Sequence, residues 1–246
     1  MKRIYYKALI FLLVVGLLSP SFMFGLPLAQ ASFRNEQRKV VLLIADRVSL
    51  SDLLEGKNLK KLAEEGCVGL LNTRTAKLII PSSTYLTIGC GTYADGGTYG
   101  NEAFSSQEIV DRLTGLTAGE IFKHRTGIVP TDKSVVNLGI ADIIKRNADL
   151  PSSIAPGLLG KALKQSGLKV AVLGNADLSG NKVHREVVLI AMDEEGMAPG
   201  DVSSTLNLKD TSFPGGYRTD YETLLIKVGE FLKEADFLVI ETGDTS

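Results

Sequence analysis

The sequence has no tryptophan, only two histidines and two cysteines, and no surplus of charge of either sign. Lys plus Arg (27) and Asp plus Glu (28) nearly cancel and no long basic run occurs, which argues against a nucleic-acid binder on charge grounds. Cys67 and Cys90 form no CxxC and no zinc pattern, so neither a disulfide framework nor a structural metal is supported. Their apolar or glycine-rich neighbours suit small buried hydrophobes, and a single Cys67–Cys90 disulfide is compatible with an oxidising compartment. His124 and His184 stand in no metal-ligand motif and read as surface or hydrogen-bonded side chains. No G-x-G-x-x-G follows the first apolar run, which weighs against a dinucleotide-binding fold. What remains is a chain of 246 residues, 44% hydrophobic, able to bury a full core.

The amino terminus carries its own pattern. Lys2, Arg3 and Lys7 precede an apolar stretch over 8–28 and then Ala29-Gln30-Ala31, the small-x-small sequence of a signal-peptidase site. These features predict an export signal over 1–31. Pro20, Pro27 and the A-x-A site favour cleavage, whereas the apolar length also suits an uncleaved membrane anchor through 8–28. In both cases the remainder, 32–246, is expected outside the cytoplasm, secreted or membrane-associated.

The remainder reads as alternating strands and helices. Val40-Val41-Leu42-Leu43-Ile44 predicts a strand buried on both faces, ending at Asp46. Ligands of open α/β sheets collect at carboxyl ends of strands, so Asp46 is either a chemical group or a cap for the next helix. A helix over 58–65 stops at Gly66, and 67–73 predicts a second strand. Pro81-Ser82-Ser83-Thr84 before a short apolar run has the composition of a helix start, either an anion site or an ordinary Ser/Thr cap. Residues 94–120 read as loop with one helix around 108–113. Near-helical spacing runs over 135–147, and a helix over 157–166 ends at Gly167. Strands are predicted at 170–173, leading to Asn175 and Asp177, and at 187–192, ending at Asp193. An amphipathic helix over 221–234 precedes a last strand at 237–240 and Glu241-Thr242-Gly243-Asp244. With no internal repeat and no low-complexity linker, the expectation is one α/β domain, a mostly parallel sheet with helices on both faces.

Several strands thus end in acids, with a hydroxyl cluster between them. Carboxylates are hard ligands for divalent metals, and a hydroxyl beside such a metal becomes a nucleophile, which points to phosphate or sulfate ester hydrolysis. Asn175, Asp177 and Asp193 are rim candidates or turn residues.

At 40–46, at Asn58-Leu59-Lys60-Lys61-Leu62-Ala63-Glu64-Glu65-Gly66 and at 81–91 the sequence resembles the alkaline phosphatase superfamily, which includes cofactor-independent phosphoglycerate mutases, phosphopentomutases, nucleotide pyrophosphatases and sulfatases. Leu86-Thr87-Ile88-Gly89-Cys90-Gly91 is most similar to the mutase branch, and 235–240 with Asp244 is similar to the strand bearing a second metal-binding Asp. The resemblance implies a metal-dependent phosphoesterase acting on a small phosphorylated substrate, with Asp46 and Asp244 as ligands of Mn, Mg or Zn. Its nucleophile would be Ser82, or in another register Ser83 or Thr84. Arg47 stands where the family usually has Gly, and the family's later histidine ligands have no counterpart before Ser246, so the resemblance also implies an incomplete site. The alternative expectation is a non-catalytic extracytoplasmic binding or scaffold relative.

Overall fold

The computed structural model describes residues 38–72, 74–150, 154–180 and 182–245. Its strands are β1 (Val40–Ala45), β2 (Ala103–Ser105), β3 (Ile109–Asp111), β4 (Leu116–Thr117), β5 (Ser134–Asn137), β6 (Val170–Leu173), β7 (Met197–Asp201), β8 (Asn207–Lys209), β9 (Tyr217–Thr219) and β10 (Phe237–Thr242). Its α-helices are α1 (Leu50–Glu55), α2 (Lys57–Glu65), α3 (Pro81–Cys90), α4 (Ala118–Thr126), α5 (Ile140–Ala148), α6 (Leu158–Gln165), α7 (Val188–Ala191) and α8 (Tyr221–Phe231).

Six strands form the main sheet in the order β1-β10-β6-β7-β5-β2. The first four run parallel, and β5 pairs antiparallel with both β7 and β2, so the fold is α/β with a mostly parallel sheet. Side chains alternate across it. Val172 and Val239 join the larger core with Tyr85 and Leu86 of α3 and Val188 to Ala191 of α7. Their neighbours Ala171, Leu173, Leu238 and Ile240 point the other way, to Leu224 and the partly buried Val228 and Phe231 of α8. Helices therefore cover both faces, and each fully buried Leu or Val contributes about 1.5–3 kcal/mol of transfer free energy.

Helices 58–65, 157–166 and 221–234 and strands 170–173 and 237–240 correspond to α2, α6, α8, β6 and β10. Five expectations need correction. The run 187–192 forms α7, a fully buried single turn; an unbroken apolar run carries no period, so strand and buried helix look alike in sequence. Around 108–113 there is a hairpin of β3 and β4, turned by the Asp111 carboxylate, which accepts from Leu113 N and from Thr114 N. The stretch 135–147 divides into β5 and α5 at Gly139. Residues 67–72 form no strand, and β1, expected inside the sheet, is an edge with Val40 57% and Leu43 56% exposed. Cys67 is exposed and Cys90 buried, and both are free thiols.

The predicted export or anchor segment lies outside the described residues. Among those described, no helix is long and apolar enough to cross a membrane.

Candidate functional site at the strand ends

The parallel register sets Ile44 of β1 beside Glu241 of β10 and Ala45 beside Thr242. Asp46 follows immediately, so the carboxyl ends of two neighbouring strands both deliver acids. Parity decides where Glu241 points. It shares the face of Val239, the α3 side of the sheet, and its Oε1 accepts a 2.7 Å hydrogen bond from the Tyr85 hydroxyl of α3. Oε2 has no hydrogen-bond partner among the described residues, although Glu241 is only 3% exposed. Burial pushes the Glu241 carboxyl up to about 8, the Tyr85 bond opposes this, and the charges of Glu186, Asp46 and Asp177 add to it. Burial and the same Glu241 charge raise the Tyr85 phenol.

These ends enclose a small cavity of about 20 Å³, lined among others by Asp46, Arg47, Pro81, His184, Glu186 and Glu241. That is room for about one water-sized particle. Buried Glu186 stands with Oε1 3.5 Å from His184 Nδ1, and this contact raises the imidazole against the opposing effect of burial. Arg47 bends over Asp46: its N–H donates to Asp46 Oδ1 at 2.8 Å and its Nε lies 3.7 Å from Oδ2. It does so at φ +54°, a left-handed conformation that costs a non-glycine residue about 1–2 kcal/mol.

The three predicted hydroxyls diverge. α3 starts at Pro81 with Ile80 as its N-cap, so none of them is the capping residue. Ser82 Oγ donates to Gly97 O at 2.6 Å, and Ser83 Oγ accepts from Gly96 N at 3.1 Å. Both are buried against a glycine loop; a Cβ on Gly96 would collide with the Ser82 carbonyl. Thr84 is half-buried and is the one of the three that this loop does not hold. It lies three residues beyond Pro81 and one before Tyr85, the two residues of α3 that face the strand ends.

Asp244 lies apart from the cavity lining. Its Oδ1 accepts from Thr219 N and its Oδ2 from the Tyr221 hydroxyl, both at 2.6 Å, so the carboxylate closes the turn after β10 onto β9 and α8. Of the predicted ligand pair, Asp46 lines the cavity, while the Asp244 carboxylate accepts the two bonds of this turn. Among the described residues no three His, Cys, Asp or Glu side chains are grouped as a metal cage.

The rim candidates are occupied too. Asp177 accepts Arg185 Nη2 at 2.6 Å, and Arg185 Nη1 reaches Glu108 at 2.6 Å while its guanidinium lies 4.9 Å from the Phe104 ring centre. Asn175 bridges Val202 O and Asn207, and Asp193 accepts from Lys164 Nζ at 3.0 Å and from Met197 N. Sequence reasoning did not single out Tyr85, His184, Glu186 or Glu241. Strand parity was the available signal for Glu241; no local pattern marks the others. A second, larger recess of about 1060 Å³ opens near the amino ends of β6 and β10 and runs along β7, lined by Lys133, Lys169 and Phe231 among others. Its charges are largely paired, as in Lys164 with Asp193 and Lys227 with Asp201.

No family model matches the chain, and neither a curated protein nor a solved structure matches it.

Proposed function

We propose that the chain is a phosphoric ester hydrolase-like domain of the alkaline phosphatase type, exported and metal-dependent as its sequence resemblance implies, with Thr84 as the nucleophile. The observation that carries this reading is the 2.7 Å bond from Tyr85 to Glu241, which pins the first turn of α3 over the carboxyl ends of β10 and β1. Open α/β sheets bind ligands at that end. Thr84 lies between Pro81 and Tyr85 on α3 and is outside the hold of the glycine loop, which engages Ser82 and Ser83.

In this reading Thr84 Oγ1 attacks the phosphorus of a small phosphate monoester and the bond to the alcohol breaks. His184, with Nδ1 turned to Glu186, takes the hydroxyl proton on Nε2 and returns it to the departing alkoxide. Water then attacks the phosphothreonine, releasing inorganic phosphate and restoring the hydroxyl. The Arg47 guanidinium beside Asp46 supplies positive charge at the cavity wall.

Arg47 also favours a second reading. Its side chain lines the cavity next to Asp46, as in a relative that binds without turning over. The two separate in one experiment: the full chain is incubated with an aryl phosphate, quenched in acid and mapped by peptide mass spectrometry. The hydrolase predicts phosphate on Thr84, lost in Thr84→Ala and retained in Ser82→Ala. No phosphopeptide and no released aryl alcohol would leave the binding relative.

A further inference from the structure

Edge strands are kept from pairing with other chains by a Lys or Pro within them, by a bulge, or by a covering strand or helix. β1 has none of these: it reads Val-Val-Leu-Leu-Ile-Ala, its register with β10 is unbroken, and among the described residues no strand pairs with its outer side. Val40 N donates to Asp236 O, so Val40, Leu42 and Ile44 turn their peptide groups toward β10. Val41, Leu43 and Ala45 turn theirs outward, and the side chains of Val41 and Leu43 are exposed as well. An open ladder of N–H and C=O groups beside an apolar stripe is a surface for strand addition. We propose that β1 pairs antiparallel with β1 of a second copy of this chain, about a two-fold axis at Leu42, so that the two sheets become one.

Charge and parity select this occupant and this register. A two-fold axis between antiparallel strands keeps every residue on its own face, so the axis passes through a residue and its own copy. Centred on Leu42, Val41 exchanges N–H···O bonds with Leu43 and Lys39 with Ala45, all of them outward-facing positions. The exposed Val41 and Leu43 then cover each other. Arg38 stands opposite Asp46 of the second copy at both ends of the pair, on the face of Leu42. The Arg47 Nε, 3.7 Å from Asp46 Oδ2, is beyond hydrogen-bond reach, which leaves that oxygen able to accept a guanidinium from the second copy. Centred on Leu43 instead, Lys39 would oppose Arg47 and Val40 would oppose Asp46, and like charges placed opposite each other are destabilising. The pairing does not depend on the hydrolase reading.

Sedimentation equilibrium of the full chain in a mild non-ionic detergent tests it, with circular dichroism confirming that each variant is folded. The expected result is a dimer that Leu43→Lys weakens at least tenfold. Arg38→Glu and Asp46→Lys should each weaken it, and the two together should restore it. Disulfide trapping reads the register, in a Cys67→Ser background because Cys67 is an exposed thiol. At the axis the two Leu42 Cα atoms lie about 4.5 Å apart, within the reach of a disulfide. The two Leu43 Cα atoms, offset along the strands, lie roughly 8 Å apart and beyond it. Leu42→Cys is therefore expected to cross-link under mild oxidation at least tenfold faster than Leu43→Cys. A monomer at every concentration, a dimer that Leu43→Lys leaves intact, or cross-linking as fast through Leu43→Cys as through Leu42→Cys would each overturn the proposal.

Discussion

A glutamate buried beside a tyrosine titrates as its surroundings dictate, and Glu241 is the residue where that matters most. Its carboxyl moves from 4.5 to about 8 because the folded protein excludes water from it. The folded chain therefore keeps a proton that the unfolded chain has released, and the sign follows. The contribution to stability is present below 4.5 and is lost as pH rises through about 8, at up to about 1.4 kcal/mol per pH unit. Urea titrations between pH 5 and 8, without added divalent cation, will show stability falling with pH in the native chain and a flatter dependence in Glu241→Gln. Equal slopes would show that Glu241 is not the group that titrates. Arg185 illustrates the opposite design: a buried cation satisfied by Asp177 and Glu108, where nothing is left for a ligand.

At the scale of elements, the site depends on how α3 is seated. Gly89 of α3 lies against the backbone of α7, where a Cβ would run into the carbonyls of Leu189 and Ile190. Gly89→Ala is expected to destabilise by about 1–3 kcal/mol through overpacking. Gly229, inside α8, has nothing within 4 Å of a built Cβ, and Gly229→Ala is expected to stabilise by roughly 0.5–1 kcal/mol. Chemical denaturation midpoints of the two variants should move in opposite directions, and movement in the same direction would contradict this packing. The same contact explains what the sequence could not convey. The glycine-terminated helices α2 and α6 and the strands β6 and β10 were legible because each carries a period or a stop residue. α7 was not, since four apolar residues enclosed on all sides have no polar face to set a phase. β1 was recognisable as a strand but its neighbours were not, because strand pairing is decided by tertiary partners rather than by local composition.

For the molecule as a whole, the sequence pointed to two acids after neighbouring strands, and the fold gives them different surroundings. Asp46 was found because a hydrophobic strand ending in an acid is a local pattern. Asp244 was assigned beside it by family likeness, yet the chain uses that carboxylate to tie its last turn to β9 and α8. Glu241 comes forward instead only once the register of β1 with β10 is known. The large recess along β7 was invisible in sequence because its walls come from segments more than a hundred residues apart, from Ser105 to Ala235.

The proposed hydrolase and a ligand site in that recess make opposite demands on three side chains. The most direct measurement is the rate of aryl phosphate hydrolysis by the full chain with Mn²⁺, compared among three variants. Thr84→Ala and His184→Ala are expected to lose at least about a hundredfold, the usual scale for removing a nucleophile or a general base. Lys169→Ala, in the wall of the recess, is expected to keep the native rate. Hydrolysis that survives both strand-end substitutions, that falls only with Lys169→Ala, or that is absent from the native chain would contradict the account.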